Sequence, residues 1–171
     1  FDEAEMPEML SQARAALVLA RTAASHGSGV EQALVAALSD RFQADSAVAD
    51  MAPWSDAYAV AMRRVFQQFP EDLDVIMLCV DAMMNRTPWL MWDLCEGVPN
   101  PDADTVECRQ MLETQIASIR AESGSFHPGI WHLYVHLMEM SPEPEKALRV
   151  ADELRGLVPD AGHLEHMSTH I

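Results

Sequence analysis

Apolar side chains recur three and four positions apart along almost the whole chain, and strand-like alternation is nearly absent. That spacing lays an apolar stripe along each of a series of helices, and it argues for an all-helical protein. With 49% hydrophobic and only 22% charged residues over 171 positions, the chain can bury a sizeable core.

Seven or eight helices can be read. The first spans about Pro7 to Ala24, with Pro7 suited to a first turn, an Ala-rich body suited to close packing, and Gly27 and Gly29 as its end. The second runs from about Val30 to Gln43 and the third from about Asp56 to Phe69, with Pro53 between them, Ser55 as a cap and Pro70 as the stop. A fourth, largely buried, begins at Glu71 and Asp72 and breaks at Thr87-Pro88. Residues 88–104 read as an irregular connector with Trp89 and Trp92 as aromatic anchors, and Asp102 and Asp104 read as capping acids. Helices five to eight follow at about Thr105–Glu122, Pro128–Met140, Pro144–Leu157 and from Asp160 onward, the last three joined by short Pro-containing links that suit antiparallel neighbours. Residues 1–171 are read as one helical domain, and because the chain opens on Phe1 and closes on Ile171 within a helix, it is expected to be an excerpt of a longer polypeptide.

Charge narrows the partners. Asp and Glu number 27 against 11 Lys and Arg, a formal charge of -16. Nucleic acid and anionic membrane surfaces repel such a chain. Three cysteines, Cys79, Cys95 and Cys108, lack a CxxC spacing, so they suggest neither a disulfide framework nor a thiolate zinc site. No apolar run approaches a membrane span and no basic, then apolar leader is visible, so the expected location is cytoplasmic.

Six of the seven histidines fall within the last 45 residues. His132, His136 and Glu139 follow one another at spacings of four and three, and His163, His166 and His170 at three and four. At about 100° per residue each set occupies about 60° of helical arc, so each forms a narrow stripe. Around the first stripe the helix is apolar in every other direction, through Ile130, Trp131, Leu133, Tyr134, Val135, Leu137, Met138 and Met140. Such a helix is buried on most sides, and its imidazoles and carboxylate need polar partners, for which the second stripe is the candidate. Stacked as equivalent helices of neighbouring repeats, helices six and eight run roughly parallel and bring the stripes face to face. Neutral imidazoles with a carboxylate suit Zn, Fe, Mn, Ni or Cu ions, as one site or as a two-metal arrangement. His127, beside Pro128-Gly129 where helix six begins, is a further ligand or an outer hydrogen-bond donor. The bland alternative is a hydrogen-bonded or pH-sensitive histidine network. Met77, Met83, Met84, Met138 and Met140 stand among apolar neighbours and read as core filling rather than copper ligands.

Two segments share a pattern. Tyr58, Met62, Val65 and Phe69-Pro70-Glu71-Asp72 correspond to Ala147, Ala151, Leu154 and Val158-Pro159-Asp160-Ala161, each an amphipathic helix, a proline and a new helix. This resembles the second helix and turn of a tetratricopeptide repeat, whose period is about 34 residues; the two prolines lie 89 residues apart, so the repeats are degenerate. The run Phe126-His127-Pro128-Gly129-Ile130-Trp131-His132-Leu133-Tyr134-Val135-His136-Leu137-Met138-Glu139 resembles a signature of long tetratricopeptide-repeat proteins of bacteria and fungi. The resemblance continues through Ala147-Leu148, Leu157-Val158-Pro159-Asp160-Ala161-Gly162-His163 and His166-Met167-Ser168-Thr169-His170-Ile171, with Ser168 where proline is common. Upstream, Asn85-Arg86-Thr87-Pro88-Trp89 and Asp104-Thr105 are similar too, so residues 56–171 are covered and the first 55 only loosely.

The resemblance implies antiparallel helical hairpins stacked as an α-solenoid and a chain continuing past Ile171; it supplies no reaction. The motif positions it carries over are His127, His132, His136, Glu139, His163, His166 and His170. Read together, the expectation is a tetratricopeptide-like domain with a transition-metal site whose first-choice ligands are His132, His136, Glu139, His166 and His170, with His127 and His163 next; if it is an enzyme, metal-activated water or dioxygen is its chemistry. The alternative is an interaction module whose groove takes a peptide or partner protein; with Lys146 as the only lysine and the arginines scattered, a basic or apolar ligand suits it best. In a third reading the domain scaffolds a site completed by residues outside the excerpt.

Overall fold

The computed structural model describes residues 5–44, 50–122, 124 and 126–171. Among them are eight α-helices, two short 3-10 helices and one two-stranded hairpin. The chain divides into two compact units, Phe1–Val75 and Ile76–Ile171.

In the first unit α1 (Met6–Ala24) packs on α2 (Gly29–Arg41), which packs on α3 (Ala52–Gln68). The Gly27–Gly29 break does more than end α1. Ser28 between the glycines forms a capping box: its hydroxyl accepts from the Glu31 N–H at 3.2 Å, and the Glu31 carboxylate accepts from the Ser28 N–H at 2.6 Å. Pro53, expected between helices, lies instead in the first turn of α3, where its missing N–H has no partner to lose, and Ser55 is inside the helix rather than capping it. The core of this unit is Leu10, Leu17, Ala37, Trp54, Ala59, Ala61, Met62 and Val65.

Helix α4 (Leu73–Met84) begins where the acids suggested it would, one or two residues later: the Asp72 carboxylate accepts from the Val75 N–H at 3.0 Å. The second unit carries α5 (Thr105–Ala121), α6 (Pro128–Met138), α7 (Leu148–Leu154) and α8 (Gly162–His166). A 3-10 turn over Pro144–Ala147 leads into α7, and another over Met167–Thr169 continues α8. Helix eight is therefore a short α-helix with a tighter 3-10 extension rather than one continuous α-helix. In this unit α6 packs on both α5 and α7, and α7 packs on the Met167–Thr169 turn.

The connector is irregular but not structureless. Strands β1 (Trp92–Asp93) and β2 (Val98–Pro99) pair antiparallel, Trp92 opposite Pro99. The Asp93 carboxylate holds the turn by accepting from the Cys95 and Glu96 N–H groups at 2.9 and 3.1 Å, and Gly97 takes the positive φ of 64° that closes it. Of the two aromatic anchors only Trp92 serves as one. It is 5% exposed and its indole N–H donates to the Leu137 carbonyl at 2.6 Å, one of the last-turn carbonyls of α6 that helix geometry leaves unpaired. Trp89 is 69% exposed. Asp104 precedes α5 without a side-chain capping bond; its carboxylate pairs with Arg86 at 2.5 Å.

Candidate functional site

Helix α6 is fixed from several directions before any of its polar groups is considered. His127 caps it, its Nδ1 accepting from the Ile130 N–H at 3.2 Å, and Pro128 fills the first turn. At Gly129 a side chain would have to displace its neighbours: a β-carbon there would stand 2.8 Å from Met77 Cγ on α4 and 3.3 Å from His127 Cε1. The His-Pro-Gly run is thus a device for starting a helix in close contact with another. Ile130, Trp131, Leu133, Tyr134, Val135, Leu137 and Met138 are all buried. Tyr134 donates to the Glu113 carboxylate of α5 at 3.1 Å, and Trp131 donates to the Glu153 carboxylate of α7 at 3.0 Å. Burial, then the Glu113 charge, pushes the Tyr134 hydroxyl up to about 12. Burial raises the Glu153 carboxyl, but hydrogen bonds from Arg120, Trp131 and Arg149 outweigh it and hold the group below its ordinary range.

The one face left over carries His132, His136 and, just past the helix end, Glu139, and against it lies the segment 162–170. His132 Nε2 is 3.1 Å from His163 Nε2. The Glu139 carboxylate accepts at one oxygen from His136 Nδ1 at 2.8 Å and at the other from His170 Nδ1. His170 Nε2 in turn is 3.1 Å from His166 Nε2. Both contacts across the two segments, His132 with His163 and Glu139 with His170, join residues 31 positions apart, so the segments run parallel. The expected meeting of the stripes is thus realised, despite the 3-10 turn that interrupts the second of them.

The second segment is tied down by its own contacts. Met167 is fully buried, the Glu165 carboxylate accepts from the Gly156 N–H at 2.8 Å, and Arg155 donates to the Ser168 hydroxyl at 3.3 Å. Gly156 follows α7 with a φ of 76°, a turn that only glycine makes readily.

Electrostatics fixes several proton positions. Burial raises the Glu139 carboxyl, but hydrogen bonds from His136 and His170 outweigh it and hold the group below its ordinary value. An ionised carboxylate only accepts, so both Nδ1 atoms carry the hydrogen and, in the neutral rings, both Nε2 atoms offer a lone pair. His132 is lowered to about 4, by burial first and then by the nearby His136, His163 and His170. It is a neutral imidazole near pH 7.

Among the described residues two groups have ligand atoms within 4.8 Å of one another, His132 with His136 and His163, and His136 with Glu139 and His170. They share His136, and the six residues of the two stripes form one continuous cluster. His127 belongs to neither group, and its Nδ1 is used as a helix cap. His163 and His166 are exposed, the other four partly buried, so the cluster opens to solvent along the second segment.

A cleft of about 260 Å³ adjoins the cluster, lined by His132, His136 and Glu139 and by residues the sequence reading did not assign to a site, including Asp81, Asn85 and Met91. Asp81 and Asn85 were detectable as the polar pair at an i, i+4 spacing beside the otherwise apolar end of α4; what they face was not. Among the described residues no helix is long and apolar enough to cross a membrane. Comparison of the chain with protein-family models, with curated proteins and with solved structures finds no match.

Proposed function

We propose that the chain is a tetratricopeptide-like helical domain that holds a transition metal ion between α6 and the 162–170 segment. The observation that carries this reading is the approach of imidazole nitrogens from separate segments, His132 Nε2 and His163 Nε2 at 3.1 Å, with His136 beside them. Tetrahedral bonds of about 2.0–2.1 Å put ligand nitrogens about 3.3–3.4 Å apart, so the pair lies near the spacing an ion requires. In this reading His132, His136 and His163 bind through Nε2, and Glu139 orients His136 and His170 through their Nδ1–H groups, as carboxylates behind metal-bound histidines do. His166 and His170, also 3.1 Å apart at Nε2, offer two nitrogens for a second ion. An imidazole set suits Zn, Cu, Fe or Ni, and three protein ligands leave a position where water is activated or dioxygen bound.

The repeat character draws support from the constant 31-residue separation across the cluster, close to the tetratricopeptide period of about 34. A second reading has its own observation: 3.1 Å is also an ordinary N–H···N hydrogen bond, so the cluster serves equally as a structural histidine network within an interaction module.

Elemental analysis of the full chain, purified without a histidine tag or chelator, separates the two. Stoichiometric transition metal, lost in the His132→Ala/His136→Ala double variant, is the expected result. No metal after reconstitution with Zn²⁺, Fe²⁺, Mn²⁺, Ni²⁺ or Cu²⁺ overturns it and leaves the histidine network.

A further inference from the structure

Resting on the metal reading above, we propose that the cleft beside the histidine cluster is the substrate pocket of that centre, and that it takes a small, largely apolar molecule without an anionic group, ending in one oxygen or nitrogen donor. Size comes first. An apolar cavity of about 150 Å³ accommodates benzene, so about 260 Å³ has room for a ring and a short functional group. Polarity comes next: Met84, Trp89, Met91, Trp92, Leu133 and Met140 form the apolar lining, and the polar lining is Asp81 and Asn85 together with His132, His136 and Glu139, the last three continuous with the cluster. Small-molecule pockets have this composition, mostly apolar with a few convergent polar groups.

The lining also selects against negative charge. Among the described residues it contains no Lys or Arg, while Asp81 and Glu139 are both present, so a ligand carboxylate or phosphate meets no cationic side chain there. A neutral donor atom would be satisfied by the ion or by the polar groups of the lining, Asp81, Asn85, His132, His136 and Glu139. Trp92 has already committed its indole N–H to Leu137 and offers the cleft an aromatic surface alone.

Trp89 points to the same end. It is a bulky residue at a φ of 64° whose side chain stays 69% exposed while lining the cleft. A non-glycine residue is seldom found in that backbone region, and such conformations gather at ligand sites. An exposed indole at a cleft supplies a stacking surface that an incoming ring covers.

The test compares two hydroxamic acids with the same metal-binding head on the Zn²⁺-loaded full chain: benzohydroxamic acid, which carries a ring, and acetohydroxamic acid, which does not. Zinc content is measured first, and binding is then followed by calorimetry. Benzohydroxamic acid is expected to bind about tenfold more tightly, the worth of one good aromatic contact. In Trp89→Ala and in Met140→Asp the preference should fall towards one while zinc content is unchanged. Trp89 is mostly exposed, so its replacement leaves the core intact. Equal affinities in the wild type, or a preference that survives both substitutions, overturn the pocket while leaving the metal centre standing. Failure to take up zinc or any other transition metal overturns both.

Discussion

Replacing Glu139 by Gln removes one negative charge and one acceptor at the point where two histidines are oriented. The Glu139 carboxylate accepts from His136 Nδ1 at 2.8 Å and from His170 Nδ1. A glutamine offers one oxygen and one NH₂, so only one ring keeps its Nδ1–H partner. The other faces a donor and must either lose a charge-assisted hydrogen bond, worth about 1.5–3 kcal/mol, or move its hydrogen to Nε2, which then no longer donates a lone pair to an ion. Either way, on the proposed metal reading, the expected loss of affinity is about 10- to 100-fold, equivalent to about 1.4–2.7 kcal/mol. Competition between the protein and a chromophoric zinc chelator at pH 7.5 measures it, and the ¹⁵N shifts of the imidazoles report the hydrogen positions. Wild-type affinity with unchanged hydrogen positions refutes the claim that Glu139 sets the tautomers. A loss well beyond 100-fold points instead to Glu139 as a direct ligand.

The other predictions concern how the cluster is held. Trp92→Phe leaves the aromatic surface but deprives the buried Leu137 carbonyl of the indole N–H at 2.6 Å, and should destabilise the chain by about 1–3 kcal/mol; urea unfolding with an unchanged midpoint counts against the bond. Gly129→Ala puts a methyl group 2.8 Å from Met77 Cγ and is expected to cost about 1–3 kcal/mol through overpacking, unless the Met77 side chain swings clear, which a melting temperature within a degree of the wild type would reveal. Acid supplies the last. With the folded His132 lowered to about 4 from an ordinary 6.5, the unfolded chain takes up a proton across that interval and the folded chain does not. Stability contributed by the neutral ring is therefore whole above pH 6.5 and is lost as pH falls to 4. Discounted for a partly exposed ring, the loss is roughly 1–2 kcal/mol. Unfolding of the chelator-treated protein at pH 7.5 and 4.5 should give a smaller pH difference in His132→Gln; an equal difference assigns the acid sensitivity elsewhere.

Spacing made the stripes legible: four and three residues on α6, three and four on the final segment, each beside apolar faces that had to be buried. Termini were less so, because the same residue type opens and closes a helix. Pro70 follows a helix, whereas Pro53, read as a separator, lies inside the first turn of α3. Trp89 and Trp92 look alike in the sequence, yet one is 69% and the other 5% exposed, and only Trp92 is tied to α6, through the Leu137 carbonyl. Asp104 had the composition of a cap but a better partner in Arg86, 18 residues earlier. The cleft was the least readable feature, since the i, i+4 pair Asp81 and Asn85 acquires meaning only when Trp89 and Met140 stand beside it, and no local rule encodes that distance.

The second histidine segment has little reason of its own to be helical. Helix α8 is five residues long, and none of them is buried; an isolated helix of that length does not hold in water. Met167, the Glu165 bond to Gly156 and the Arg155 bond to Ser168 fasten it to α7, and its contact with α6 includes imidazoles and a carboxylate where packed helices ordinarily place an apolar seam. Across that contact the neutral His132–His163 bond contributes about 0.5–1.5 kcal/mol and the charge-assisted Glu139–His170 bond about 1.5–3 kcal/mol. An ion at 100 times its dissociation constant adds about 2.7 kcal/mol, concentrated on that same contact. Metal occupancy and the order of residues 162–170 are therefore coupled on the proposed reading: amide exchange should slow on metal addition in that segment far more than in α5, whose buried Cys108, Leu112, Ile116 and Ile119 already give it an apolar seam. Uniform slowing, or none, would separate the histidines from any role in holding the segment in place through an ion.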